Sequence, residues 1–308
     1  MRPAFIMLAL LLCSTGCSFA LRALGRSLDL PPEPRHAPYK TLDAHRPDAR
    51  LSVVWIGHAT ALVQLDDKFV LTDPVFTPSV GAISRRLVEP GMDAADLPQL
   101  AAAVVSHMHM DHFSYDSLAQ IEHKTAHVVL PRGTQESLPR YAFASHELAH
   151  WQSIDVDGVR ITAVPVRHVG GRFGLDLAWS PESFTGYVFE YHGLSVYFGG
   201  DTAFDTDIFQ AARARFPALD LALLPICPIA PREYMKLVHM DPLEALDAFA
   251  LLGAKYMVPI HFDTFINSGD VPGECGRVLR AEVALREIGR ERVPILEIGE
   301  QRVIVSAR

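Results

Sequence analysis

Cysteine is scarce in this sequence, with four among 308 residues, at Cys13, Cys17, Cys227 and Cys275. That number rules out a small scaffold stapled by disulfides. Cys227 and Cys275 could pair in an oxidising compartment, but two cysteines make no framework, and both are expected to be buried or free. Positive charge is sparse as well. Asp and Glu number 36 against 28 Lys and Arg, a net charge of −8, and no basic run exceeds a pair. Binding to a duplex needs a positive face that displaces counterions from phosphates, so no nucleic-acid partner is expected. A long apolar run occurs only at the start of the chain, which excludes a multi-span membrane protein. There is no repeat with a period of about 20–50 residues and no low-complexity stretch. A G-x-S-x-G elbow and a P-loop are both missing, so neither a serine nucleophile nor a nucleotide cradle is indicated.

What is present is an ordinary globular composition, 49% hydrophobic and 21% charged, at a length that suits one large α/β unit or two smaller ones. The first 17 residues have the layout of a secretory signal: Arg2, an apolar run over 4–12, then small residues. Ser14-Thr15-Gly16-Cys17 resembles a bacterial lipobox, in which Cys17 would carry the lipid. Residues 18–50, rich in proline and arginine, read as a linker, and 51–308 as the folded domain. The expectation is an exported, envelope-located protein, tethered on the periplasmic side through Cys17. A simply cleaved signal and an uncleaved anchor helix are the rivals.

Short β-branched runs bounded by Gly, Asp or Pro predict strands at 51–55, 61–65, 69–72, 103–106, 128–130, 159–166, 186–190, 194–198, 221–225, 256–260 and 302–306. Helices are predicted at 115–122, 208–216 and 275–288, and in the stretch opened by Asp241-Pro242-Leu243-Glu244. There Asp241 caps, Pro242 suits the first turn and Glu244 can close a capping box. Leu243, Leu246, Phe249 and Leu252 form an apolar stripe that Gly253 ends. Strands and helices mixed on this scale predict a layered α/β or α+β sandwich. Asp73, His107, His168, Asp201 and His261 each follow a predicted strand directly or within two residues. Polar groups so placed can converge on one rim of a sheet sandwich.

Among 14 histidines, three stand with a carboxylate in Ser106-His107-Met108-His109-Met110-Asp111-His112. On an extended segment His107 and His109 point the same way, so one metal can take both. Asp111 and His112 come from the turn that follows and can reach a second. Imidazole and carboxylate suit zinc, and also iron or manganese.

This H-x-H-x-D-H run resembles the signature of the metallo-β-lactamase fold superfamily. The resemblance implies a four-layer αββα sandwich with a dinuclear site, taken as two zinc ions, on one edge. It implies His107, His109 and His168 on the first metal, Asp111, His112 and His261 on the second, and Asp201 bridging. A narrower likeness links the chain to the N-acylphosphatidylethanolamine-hydrolysing phospholipase D family, carried by several segments. These are Trp55-Ile56-Gly57-His58-Ala59-Thr60, Leu71-Thr72-Asp73-Pro74-Val75-Phe76, Pro90-Gly91, Gly199-Gly200-Asp201-Thr202, and Pro231-Arg232 with His239-Met240-Asp241-Pro242. The opening is also similar to the L-ascorbate-6-phosphate lactonase branch. The chain departs from the family pattern at 169–172 and 114–116, near the expected substrate mouth.

The function this implies is a metal-dependent phosphodiesterase acting on N-acylphosphatidylethanolamine or a related lipid. Asp111, Asp201 and His239 are placed in the catalytic machinery, the two aspartates as ligands. His239 is read as a substrate contact or proton donor, or else a capping residue. His58 and Asp73 are read as groups behind the ligands or as turn formers. Arg232 is read as a phosphate fork or a surface ion-pair partner. Phe173, Trp179 and Phe184 could form an apolar lid or pack their own loop. A metal-dependent lactonase or phosphoester hydrolase with a small soluble substrate, and a non-catalytic metal-binding protein, are the alternatives.

Overall fold

The computed structural model describes residues 25, 33–81, 84–172, 181–266 and 268–307. The expected signal segment with Cys17, most of the expected linker up to residue 32, and Phe173 and Trp179 of the expected lid lie outside the described residues. Among the described residues no helix is long and apolar enough to cross a membrane.

Two sheets face each other. The first contains β1 (Ala49–Gly57), β2 (Thr60–Leu65), β3 (Lys68–Thr72), β6 (Ala102–Val104), β7 (His127–Pro131), β8 (Ala144–Leu148) and β15 (Gln301–Ser306), in the order β15-β1-β2-β3-β6-β7-β8. The second contains β9 (Ser153–Val156), β10 (Val159–Val164), β11 (Gly186–Tyr191), β12 (Leu194–Phe198), β13 (Leu221–Pro225) and β14 (Tyr256–Ile260), in the order β14-β13-β12-β11-β10-β9. A two-residue ladder, β4 (Ser79–Val80) with β5 (Ser84–Arg85), stands apart. The helices are α1 (Tyr115–Ile121), α2 (Thr206–Arg215), α3 (Arg232–Met235), α4 (Pro242–Leu252) and α5 (Glu274–Leu285).

Alternation of side chains sorts the first sheet into two faces. Leu51, Val53, Trp55, Val63 and Leu65 join the core shared with Ile161, Phe189, Val196 and Leu223 of the second sheet. Val54, Ile56, Leu62, Leu71 and Val128 turn the other way, against Leu118 and Ile121 of α1. Phe209 and Ala212 of α2, Leu246 and Phe249 of α4 and Leu279 and Val283 of α5 cover the second sheet. The result is the expected αββα layering, each buried Val, Leu or Phe contributing roughly 1.5–3 kcal/mol.

All eleven predicted strands form. Their ends shift slightly, except at β12, β13 and β14, where they coincide. The predicted helices also form. In α4, Asp241 accepts from the backbone N–H groups of Leu243 and Glu244, and Gly253 closes the helix at φ 64°. The expected capping box does not close, because the Glu244 carboxylate turns to Arg232. Leu243 is exposed, and Ala245 and Ala248 complete the buried face in its place. The polar or short strands β4, β5, β8 and β9 carry too little apolar alternation to be seen in advance.

Residues 33–48, inside the expected linker, lie against the domain. Ala37 and Ala44 are buried, Thr41 Oγ1 donates to Gly299 O at 2.6 Å, and Gln301 Nε2 donates to Ala44 O at 2.6 Å. Cys227 and Cys275 are buried as expected but not free: they form a disulfide with Cα atoms 6.1 Å apart. Their separation of 48 residues gave no local sign of that pairing.

Candidate metal centre

The site forms where strands end. β3, β6 and β7 are parallel, as are β12, β13 and β14. Parallel strands bring their C-terminal ends, and the residues that follow, to one edge. Asp73 follows β3 and the Ser106–His112 turn follows β6. Asp201 follows β12, Cys227 follows β13 and His261 follows β14. β10 runs antiparallel to β11, itself antiparallel to β12, so His168 leaves β10 on that edge too.

Eight side chains from five stretches of the sequence meet there. His107, His109, His168 and Asp201 form one group whose ligand atoms lie within 4.8 Å of one another. His58, Asp111, His112 and His261 form a second such group. Asp201 lies between them: Oδ2 is 3.2 Å from His112 Nε2 and 3.8 Å from His168 Nε2, while Oδ1 is 3.1 Å from His261 Nε2.

The outer nitrogens of these rings are engaged by protein. Ser106 Oγ donates its one proton to Asp73 Oδ2 at 2.7 Å, so it accepts from His107 Nδ1–H at 2.9 Å. His168 Nδ1–H donates to Val238 O at 2.9 Å and His261 Nδ1–H to Cys227 O at 3.0 Å. His112 Nδ1 stands 2.6 Å from Asp73 Oδ2. The inner nitrogens then face one another: His107 Nε2 and His109 Nδ1 at 2.8 Å, His168 Nε2 and His109 Nδ1 at 3.3 Å, and His112 Nε2 and His261 Nε2 at 3.3 Å. Ring lone pairs crowded together, with outer N–H groups fixed by carbonyls and carboxylates, make a donor set shaped for cations. Asp201 Oδ1 and His239 Nδ1 are buried without a hydrogen bond. Those orphaned atoms, in a site of imidazole and carboxylate, fit a divalent transition metal.

The electrostatics agree at every shifted group but His112. Burial opposes charge on Asp201, but His112, His261 and His239 outweigh it and hold the carboxyl well below the usual carboxylate range. Burial likewise opposes charge on Asp111, and His112 and His58 reverse the outcome. His112 is raised well above the ordinary imidazole value, against burial, by Asp201, Asp111 and Asp73. Burial, aided by neighbouring imidazoles, pushes His107 and His239 well down, His168 to about 4 and His58 to about 3. The ionised aspartates and the neutral His58, His107 and His168 are in the forms a metal takes, whereas His112 holds a proton that a metal would displace.

The remaining sequence candidates divide. His58, in the left-handed region at φ 55°, brings Nε2 to 3.0 Å from Asp111 Oδ2 and lies within the second group. Asp73 is fully buried behind His112 and Ser106. His239 Nδ1 reaches 3.7 Å from Asp201 Oδ2. Arg232 takes the ion-pair role of its two expected ones: its guanidinium is engaged by Asp241 at 3.2 Å and by Glu244, and it donates to His239 O at 3.1 Å. Phe184 has its ring centroid 6.5 Å from that of His168.

Sequence reasoning missed Ser106 and the carbonyls of Val238 and Cys227. It also missed Arg86, a buried guanidinium that donates to Val75 O and Thr77 O and lies 4.8 Å from the Phe265 ring centroid. That Phe265 ring meets His58 edge-on at 5.3 Å. Only the serine beside the histidine run carried a local sign.

With this geometry in view, similarity to known proteins is informative. Residues 68–262 match the profile of the Beta-lactamase superfamily domain. The chain belongs to the metallo-β-lactamase superfamily. It is 34% identical over 240 residues to an uncharacterized protein of Mycobacterium tuberculosis, a match covering 74% of this chain and 63% of that protein. It therefore spans less than two thirds of the mycobacterial relative. An N-acyl-phosphatidylethanolamine-hydrolyzing phospholipase D of Caenorhabditis elegans is 30% identical over 241 residues, covering 73% and 67%. A metal-dependent hydrolase of Pelotomaculum thermopropionicum is 30% identical over 255 residues, covering 81% and 98%. Among solved structures, a metallo hydrolase from Ignicoccus hospitalis shares the fold with a TM-score of 0.60 at 20% identity, over 82% of this chain and 97% of that one.

Proposed function

We propose that this protein is a metal-dependent hydrolase that works with two divalent metal ions, zinc in the first instance, as a phospholipase D-type phosphodiesterase on N-acylphosphatidylethanolamine or a related lipid. The carrying observation is the pair of ligand groups with the Asp201 carboxylate between them. The phospholipase D relative supports the substrate class. His107, His109 and His168 would hold one ion, Asp111, His112 and His261 the other, and Asp201 both. Bound there, such ions supply a nucleophile at neutral pH and polarise a phosphoryl oxygen.

The protein's own part is orientation. Asp73, Ser106 and the carbonyls of Val238 and Cys227 hold the outer ring nitrogens, so the inner ones keep their lone pairs directed inward. His58 anchors the Asp111 carboxylate. His239, kept neutral by burial, would present an N–H to a phosphoryl oxygen or to the departing oxygen, with Arg232 fixing its backbone. A groove of about 420 Å³ lined by residues 77–81, Met110, Tyr115 and Arg172 adjoins the His109–Asp111 turn and would take part of the substrate. The leader and Cys17 would place the enzyme on the envelope, beside lipid substrates.

The test is metal analysis together with hydrolysis of N-acylphosphatidylethanolamine. About two ions per chain and turnover that is abolished by chelator and restored by zinc are expected. Lactone opening without phosphodiester cleavage would replace this reading, and full metal content with no turnover of either class would make the protein a metal-binding one.

A further inference from the structure

We propose that the Cys227–Cys275 disulfide is a redox latch on one half of the metal centre. Closed, it fixes the backbone carbonyl that orients His261. Opened, it frees that carbonyl and weakens metal binding by the group of His58, Asp111, His112 and His261. The inference rests on the metal-binding reading of that group.

Cys227 does two things at once. Its carbonyl accepts the Nδ1–H of His261 at 3.0 Å, which leaves His261 Nε2 directed at Asp201 and His112. Its side chain is bonded to Cys275 in the first turn of α5, 48 residues away. The carbonyl that sets the ring of a ligand is thus tied, through one residue, to a helix. The neighbours of Cys227 have other ties. Ile226 N donates to Ile260 O at 3.2 Å, and Asp270 accepts from Ile229 N at 2.9 Å and Ala230 N at 2.8 Å. At residue 227 itself the side-chain tie is the disulfide. Opening it should leave the segment folded while loosening one carbonyl, so the effect is local. Among the described residues the other group has no such link: His168 is set by Val238 O and His107 by Ser106. Cys227 also lines a small cavity with His58, His261 and Asp270, so the bond borders the space beside the ligands.

The step balances with a dithiol as reductant. The S–S bond takes two electrons and two protons to give two thiols, and the dithiol closes to its own disulfide. Outer partners of metal ligands commonly change metal affinity by about 10- to 100-fold.

The experiment titrates metal-free full-length protein with Zn²⁺ against a chromogenic chelator. It compares oxidised protein, the same protein reduced by a phosphine, the reduced protein after reoxidation, and Cys275→Ala. Circular dichroism on each sample reports folding. Two sites in the oxidised protein are expected. One should weaken by about tenfold or more on reduction and in Cys275→Ala, and recover on reoxidation, while the other is unchanged. Two sites whose affinities ignore reduction overturn the latch alone. Equal weakening of both sites overturns it too, since that is general loosening. Oxidised protein that binds no zinc overturns the metal reading and the latch with it. If Cys275→Ala does not fold, the reduced and reoxidised wild type decide.

Discussion

Asp73 Oδ2 lies 2.6 Å from His112 Nδ1, and the opposite nitrogen of that ring faces Asp201 and His261. One buried carboxylate thereby fixes which edge of the imidazole is turned inward. The same carboxylate also takes the backbone N–H of Ser106 at 2.7 Å and its hydroxyl at 2.7 Å, which reaches on to His107. Both halves of the centre are braced by a residue that is not in either ligand group. Asp73→Asn keeps the shape but loses the charge. Metal affinity should fall by about 10- to 100-fold with the fold retained, as measured by chelator competition and circular dichroism. Unchanged affinity would show that Asp73 serves the turn alone.

Asp201 is expected to be indispensable to both groups, because its carboxylate approaches His168 of one and His112 and His261 of the other. Asp201→Ala should lower the metal content from about two ions per chain to well below one and remove activity. Elemental analysis of dialysed protein checks this. A variant that keeps both ions would refute the bridging role.

Gly200 sits at φ +55°, and a Cβ there would come within 2.6 Å of Ser106 Cβ and 2.9 Å of its Oγ. Neither backbone nor neighbour accommodates it. Gly200→Ala should destabilise the protein by about 2 kcal/mol, read from the urea midpoint, and disturb the Asp73–Ser106–His107 chain of hydrogen bonds.

Acid should destabilise the metal-free protein in a defined window. The folded values of His168, about 4, and His58, about 3, lie below the ordinary 6.5. The unfolded chain therefore binds more protons between these limits. Their cost is absent above pH 6.5 and grows as pH falls towards 4. His168 alone would contribute about 3 kcal/mol when the window is fully crossed. His112 has the opposite sign: its folded value is raised, so its stabilisation is complete below 6.5 and cannot offset a further fall. The melting temperature of metal-free protein should drop from pH 6.5 to 4. A flat profile over that range would contradict buried neutral histidines.

The likeness of Trp55 to Thr60 and of the histidine run to a family pattern was legible because both are local words in the sequence. So were the strands, since β12, β13 and β14 are apolar runs cut by Gly, Asp or Pro, and a period of two needs no distant information. Arg232 carried two readings, a phosphate fork and an ion-pair partner. Its sequence context offered a fork for phosphate, yet Asp241 and Glu244, nine and twelve residues on, already hold it. Nothing in the local pattern ranks those partners above a ligand.

The sequence by itself determined the order of strands and helices, the clustering of His107, His109, Asp111 and His112, and the appearance of His168, Asp201 and His261 after strands. Tertiary structure alone decided which ring nitrogens face inward and that Cys227 meets Cys275. It also brought the carbonyls of Cys227 and Val238 behind His261 and His168. The reason is that hydrophobic periodicity and turn residues act over a few positions. Hydrogen-bond partners of the site lie as far apart as residues 58 and 261, and the strand order brings them to one edge.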